Sequence, residues 1–407
     1  MEICIHRGTH EIGGTCVEIA HDGFRIAVDL GLPLDAEDNG PELLPSVAGI
    51  THPADDFIGI IISHPHQDHY GLLAHVLENI PIAMGQAARR ILETASRFMP
   101  GPKPHLGNLE LKDRKALKLG PFSITPFMVD HSAYDAYALL IEAGGYRVFY
   151  SGDFRAHGRK AALFEKLIAA PPTPIDCLML EGTSLARLDE DAHFVTESEL
   201  EKQFVEAFKR INGLAMVFAS GQNVDRLVTI YRAAKDSGRC LIMDLYTSEI
   251  LAATENENLP QGHWDNIRVI IPYSQSKQAT ETENLFEHHH CINWKKLHEL
   301  APKAVMLCRA TMLKQIAGSG NLAGAEVIYS MWDGYLKDGK LQAQLDALNI
   351  PLTKIHTSGH ADIPTLKRLV AALQPKNITP IHSEHPQLFE TLFPNVVTRT
   401  DGEWWSI

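Results

Sequence analysis

Positive charge is in short supply: 37 lysines and arginines stand against 50 aspartates and glutamates in 407 residues, a formal charge of −13. That balance argues against broad, non-specific capture of nucleic acid. The chain also lacks any Cys-x-x-Cys pair. Its six cysteines (Cys4, Cys16, Cys177, Cys240, Cys291, Cys308) are scattered, several of them inside apolar strand-like runs. They read as small buried hydrophobes in a reducing compartment, so the expected location is cytoplasmic. No basic start followed by a long apolar stretch opens the sequence, and no window is apolar enough to span a bilayer; no membrane partner is expected. Internal repeats and low-complexity tails are absent as well.

What is present is concentrated in Ser63-His64-Pro65-His66-Gln67-Asp68-His69. Three imidazoles and a carboxylate follow directly on the apolar run Phe57 to Ile62, which reads as a buried strand. Where a strand hands over to a tight loop, side chains can converge on one point, and these residue types then suit two adjacent metal ions. A solvated polar loop is the plainer alternative. Four specific residues at fixed spacing, with matching residues far downstream, weigh against it. A two-metal site needs further ligands and a bridging carboxylate, and strand ends offer them: His131 after the run Ile124 to Val129, Asp153 after Tyr146 to Phe149, and His382 closing Thr379-Pro380-Ile381. Any one alone is commonly a cap or a surface residue. Bound divalent ions would supply positive charge where Asp68, Asp153 and Glu181 otherwise repel a phosphate.

Length and 45% hydrophobic content suggest two or three domains. Up to about Glu181 the pattern is strand-rich, with short apolar runs such as Gly23 to Leu30 punctuated by Gly and Pro turns. After it the rhythm changes. Thr196 with Glu199 forms a capping box opening a helix to about Arg210, and strands alternate with helices: Leu214 to Ala219, Cys240 to Leu245, Arg268 to Tyr273, Ala304 to Cys308 and Glu326 to Trp332. This is the pattern of a parallel sheet with helices on its faces. From Leu352 the first style returns, with a strand to Thr357, a helix from Ile363 capped by Asp362 with Pro364 in its first turn, and a strand from Asn377 to His382. The expected division is residues 1–183, an inserted domain over 184–350, and a closing part over 351–407. The tract Glu287-His288-His289-His290-Cys291 reads more readily as a solvated helix or loop than as a metal site.

Asp29, His64-x-His66-x-Asp68-His69, His131 and Asp153 resemble, in order and local context, the metallo-β-lactamase fold superfamily. Glu181 in Leu180-Glu181-Gly182-Thr183, His360 in Ser358-Gly359-His360-Ala361, and His382 in Pro380-Ile381-His382-Ser383-Glu384 resemble the additional motifs of its β-CASP nucleases, ribonuclease J and the pre-mRNA 3′-end processing endonuclease above all. The resemblance covers the whole chain. It implies an α/β fold, an αββα sandwich carrying an inserted Rossmann-like β-CASP domain. It implies two Zn²⁺ ions, with Mn²⁺ an alternative: His64, His66 and His131 on one, Asp68, His69 and His382 on the other, and Asp153 bridging. It also implies that Asp29 orients a ligating histidine, that Asp68 orients or deprotonates the attacking water, and that His360, paired with Glu181, protonates the leaving oxygen. The expected substrate is single-stranded RNA, cleaved from an end or internally. By the same resemblance, a histidine at position 382 implies RNA in preference to DNA.

Phosphate contacts are expected at Ser358 and the N–H of Gly359. They are also expected at Ser220, Gly221 and Asn223, where Ala219 to Arg226 leads from a strand into a helix. An ordinary helix start explains that segment equally well. One departure stands out: Met306 to Leu313 lacks the glycine that relatives carry in this strand-to-helix loop, and Arg309 is the candidate substitute for the missing backbone contacts. The longer ribonuclease J proteins carry an extra C-terminal domain beyond the point reached here by Trp404-Trp405-Ser406-Ile407, so a homodimer stays open. Rival functions are a small-molecule ester, thioester or lactone hydrolase on the same metal core, a DNA nuclease, and a non-catalytic RNA-processing subunit. Roughly 165 inserted residues would be oversized as a lid for a small substrate.

Overall fold

A computed structural model describes residues 1–320 and 322–407. The chain divides into two compact units, Met1–Phe194 with Gly359–Ile407, and Val195–Ser358. No helix among the described residues is long and apolar enough to cross a membrane.

In the first unit two sheets face one another. The seven-stranded sheet runs, edge to edge, through Trp404–Ser406, Glu2–Arg7, Cys16–His21, Phe24–Val28, Phe57–Ile61, Ile82–Gly85 and Leu109–Leu111. The six-stranded one runs through Asn377–Ile381, Cys177–Glu181, Tyr146–Tyr150, Tyr137–Ala143, Phe122–Met128 and Leu117–Leu119. Period-two alternation explains the layer between them: Ile3, Ile5, Val17, Ile19, Ile26 and Val28 from one sheet meet Ile124, Leu139, Ile141, Val148, Met179 and Ile381 from the other. The residues in between point outward and bury against helices. Ile60 and Ile62 pack with Leu92 of helix Gln86–Phe98; Leu178 and Leu180 pack with Phe164 of Ala161–Ala169 and Leu366 and Leu369 of Ile363–Leu373. The result is the helix–sheet–sheet–helix order expected for the fold class.

The second unit is a parallel sheet of seven strands in the order Cys291–Ile292, Ile267–Ile270, Cys240–Asp244, Ala304–Leu307, Ala215–Phe218, Glu326–Tyr329 and Leu352–Lys354. Its first helix, Glu197–Arg210, carries the anticipated capping box in full: Thr196 accepts from the Glu199 N–H while Glu199 accepts from that of Thr196. Ile267–Ile270, Glu326–Tyr329 and Leu352–Lys354 stop well short of the runs read from the sequence. Ile267–Ile270 stops before Pro272, which has no N–H to give the ladder, and Glu326–Tyr329 gives way to a 3₁₀ turn at Asp333–Leu336. Leu352–Lys354, expected to open the closing part, pairs in parallel with Glu326–Tyr329 and so belongs to this second sheet. The unit accordingly extends to Ser358.

Candidate metal centre

The strand Phe57–Ile61 delivers the histidine cluster at its carboxyl end, and the segment is more than a loop. Gln67–Tyr70 forms one helical turn with His66 at its N-cap, which sets Asp68 and His69 on the turn itself. His131 follows the strand Phe122–Met128, Asp153 follows Tyr146–Tyr150, and His382 follows Asn377–Ile381. The first unit brings these strand ends together. Ligand atoms of His64, His66 and His131 all lie within 4.8 Å of one another, as do those of Asp68, His69, Asp153 and His382, and those of Asp153, Glu181, His360 and His382. Asp153 links the groups: its Oδ2 is 3.2 Å from His69 Nε2 and 3.6 Å from His64 Nε2, and its Oδ1 is 3.6 Å from His382 Nδ1.

Hydrogen bonds decide which ring nitrogens face the centre. Asp29 is buried and left-handed at φ 59. It accepts from Ser63 N (2.7 Å), Ser63 Oγ (2.8 Å), Tyr150 OH (2.7 Å) and His69 Nδ1 (2.8 Å). His69 therefore spends its Nδ1 proton outward and turns Nε2 inward. His131 donates from Nδ1 to the Gly359 carbonyl at 2.6 Å, leaving its Nε2 lone pair 3.1 Å from His66 Nδ1. Thr183 Oγ1 lies 2.8 Å from His382 Nδ1, and His382 Nε2 faces Asp68 Oδ2 at 3.3 Å.

A divalent cation fits these residues. His64 Nε2 is buried with no hydrogen-bond partner among the described residues, a costly state for a polar atom. The His131 Nε2 lone pair also points at another imidazole nitrogen, and a cation shared by the three rings satisfies both. Burial, with neighbouring imidazoles, pushes His64 and His131 well below the ordinary histidine range, and burial brings His66 down to about 4. All three are neutral, the form that ligates.

The sequence matches a family model described as a β-lactamase superfamily domain over residues 38–219, and one described as a Zn-dependent metallo-hydrolase RNA specificity domain over residues 349–390. Relatives named ribonuclease J are 21% identical in Mycoplasma genitalium, covering 93% of this chain and 67% of that protein, and 22% identical in Mycolicibacterium smegmatis, covering 92% and 67%. The chain carries a metallo-β-lactamase superfamily domain together with the RNA specificity domain of Zn-dependent metallo-hydrolases, a combination consistent with the β-CASP nucleases. It is a metal-dependent hydrolase of the nuclease class. A solved structure of a protein of unknown function from Enterococcus faecalis shares the fold, with a TM-score of 0.80 over 99% of both chains at 20% identity. The chain spans about two thirds of the length of these ribonuclease J relatives.

Beside these converging groups, His360 Nδ1 lies 3.2 Å from Glu181 Oε2 and 3.7 Å from Asp153 Oδ2. Burial pulls His360 down, but Glu181 and Asp153 outweigh it and hold its proton above the usual range. Glu181 is buried and held by the N–H groups of Phe154 (3.3 Å) and Thr183 (3.3 Å). Burial likewise opposes Asp68 and Asp153, yet His69 and His382 win and keep both carboxyls well below their ordinary range.

Other expected residues have different surroundings. Ser358 is buried, and Gly359 sits so close to Ser132 that a Cβ would fall 2.7 Å from its Oγ. In the second unit Ser220 is exposed and its Oγ accepts from Gln222 N. Asn223 is spent on capping, accepting from Arg226 N at 3.1 Å. Arg309 reaches Asp244 at 3.1 Å and lies 4.5 Å over the Tyr246 ring. The tract Glu287 to Cys291 contributes to none of the converging groups among the described residues; its His289 is buried between Ser248 and Glu249. Sequence reasoning missed the supporting atoms, namely Ser63, Tyr150, Thr183 and the Gly359 carbonyl. Only their adjacency to motif residues could have pointed to three of them.

Proposed function

We propose that this protein is a zinc-dependent ribonuclease, with manganese an alternative metal, that hydrolyses phosphodiester bonds of single-stranded RNA. The observation that carries the reading is the His360–Glu181 pair, its carboxylate buried, set against the candidate ligand clusters. An ester oxygen departing as an alkoxide needs a proton, and an imidazole held protonated supplies it. His64, His66 and His131 would hold one ion, and Asp68, His69 and His382 the other, with Asp153 common to both. Bound there, two divalent ions supply a nucleophile from water at neutral pH and offset the charge on the phosphate oxygens.

The protein's own groups do the rest. Asp29, the Gly359 carbonyl and Thr183 fix the rings of His69, His131 and His382. Asp68, kept ionised by His69 and His382, accepts a hydrogen bond from the attacking water and orients it. Glu181 holds His360 Nδ1, so that Nε2–H is the proton delivered to the leaving oxygen. Ser358 and the Gly359 N–H are proposed phosphate contacts; in the second unit Ser220, Gly221 and Arg309 are proposed contacts to the strand, while Asn223 keeps its cap. All six cysteines are free thiols, which supports a reducing, cytoplasmic setting.

Digestion of 5′-labelled RNA bearing a monophosphate or a triphosphate, with zinc or manganese, tests the reading. Mononucleotides released only from the monophosphate strand identify an exonuclease, and internal fragments an endonuclease. His360→Ala should lower kcat by about 10²–10⁴-fold, the usual weight of a general acid. RNA left intact while DNA, a lactone or a thioester is cleaved overturns the substrate. Failure to bind metal points to a non-catalytic subunit.

A further inference from the structure

The strands of the second unit are parallel, so their carboxyl ends share one edge. Pairing sets Ile270 opposite Asp244, Val217 opposite Leu307, Phe218 opposite Tyr329, and Tyr329 opposite Lys354. Just beyond that row the chain presents, strand by strand, Tyr273, Tyr246, Arg309, Ser220 and Trp332, with Tyr335 in the following turn. In doubly wound sheets ligands bind outside the carboxyl ends, where the strand order reverses. Here the chain leaves Ala215–Phe218 for Cys240–Asp244 on one side. Ala304–Leu307, lying between those two, leaves for Glu326–Tyr329 on the other. The reversal falls between Ser220 and Arg309.

We propose that this carboxyl edge is a base-stacking track for a single strand of about four to six nucleotides. It rests on the reading of the protein as a nuclease for single-stranded RNA and specifies how the strand is held. Arg309 holds its guanidinium carbon 4.5 Å from the centre of the Tyr246 ring, is paired with Asp244 and keeps 41% of its side chain exposed. Gly221 lets its loop press on that ring, since a Cβ there would fall 2.9 Å from Tyr246 Cε1. Trp332 and Tyr335 meet edge to face at 5.4 Å and are 41% and 62% exposed. The Trp332 ring lies on Gly334, where a Cβ would come within 2.3 Å, and Tyr329 OH donates to the Trp332 carbonyl at 3.1 Å. Tyr273, at the other end, is 73% exposed.

These faces suit bases better than phosphates. Asp244 already neutralises Arg309 and Asp333 neutralises Lys354, at 2.8 Å, within a chain of net charge −13. Aromatic and guanidinium planes bind any base without needing net positive charge. Adjacent strands lie about 4.8 Å apart, so the four intervals from Tyr273 to Trp332 span roughly 19 Å. At about 3.4 Å or somewhat more per nucleotide of strand, that gives the length stated.

The test is fluorescence anisotropy with the metal-loaded full chain and labelled, cleavage-resistant phosphorothioate RNA of increasing length. Affinity should rise up to about six nucleotides and fall only shallowly with salt. Tyr273→Ala and the double variant W332A/Y335A should each weaken binding at least fivefold, Trp332→Phe should restore most of it, and an abasic strand should bind the parent as weakly as RNA binds the variants. Binding that ignores the aromatic substitutions and the missing bases, and collapses with salt, overturns the track alone. A parent protein that binds no single-stranded RNA overturns the nuclease reading on which it rests.

Discussion

At the scale of single residues, the centre depends on groups that touch no substrate. Asp29 takes four hydrogen bonds, from the three residues Ser63, His69 and Tyr150, in a left-handed conformation that few side chains tolerate, and those residues lie on segments that carry or flank the proposed metal ligands. Glu181 has a comparable effect on His360, and there the consequence can be read from a pH profile. Burial alone would depress His360; Glu181, with Asp153, raises it. A raised histidine is protonated below its folded pKa and loses its proton as the pH rises through it, so activity that needs the acid form must fall on the alkaline side. Glu181→Gln removes the largest raising influence and should move that alkaline limb to lower pH, so that kcat/KM drops more at pH 8 than at pH 6. An alkaline limb that stays in place would show that Glu181 does not set the proton on His360. The motif letters were legible in the sequence; the carbonyl of Gly359 and the hydroxyl of Thr183 were not, because a backbone acceptor carries no residue signature and threonine has many uses.

At the scale of elements, most strands could be located from their apolar runs because both faces are covered. Phe57–Ile61 reads as continuous hydrophobicity since the other sheet lies on one side and the helix Gln86–Phe98 on the other. The ends were less legible, as at Pro272 and Asp333, where a turn takes over before the apolar letters run out. Arg226 is the clearest case of a residue whose use the local pattern hides. Sequence placed it at a helix start suited to phosphate, yet it is wholly buried. It bonds Glu197 at 3.0 Å and also Ser330, and so joins helix Val224–Asp236 to helix Glu197–Arg210 and the end of strand Glu326–Tyr329. Removing one partner of a buried pair strands the other charge, so Glu197→Ala should cost about 3–5 kcal/mol, whereas replacing both (Glu197→Leu with Arg226→Met) should be near neutral. Denaturant midpoints for the two single variants and the double variant measure the coupling. A Glu197→Ala loss under 1 kcal/mol would mean that the pair is not what joins these elements.

At the scale of the whole molecule, the centre is assembled from residues as far apart in sequence as Asp29 and His382, and the chain runs through the entire second unit between Glu181 and His360. No short fragment contains the set, so the ligand geometry exists only once the first unit has folded, and metal binding is then folding free energy. Ligands that bind the native state alone stabilise it by about 4 kcal/mol when present at a thousand times Kd. That stabilisation should be local. With a chelator, amide hydrogen exchange should quicken in residues 63–69, 130–132 and 381–383, whose rings and carboxylates would face one another without a cation. The strand Ala215–Phe218, which carries no ligand, should exchange at its original rate. Restoring zinc should reverse the change in the first set. Exchange that quickens equally in both places would mean that the metal supports the chain as a whole. No change in either would mean that the hydrogen bonds from Asp29, Thr183 and Gly359 hold the site formed without it.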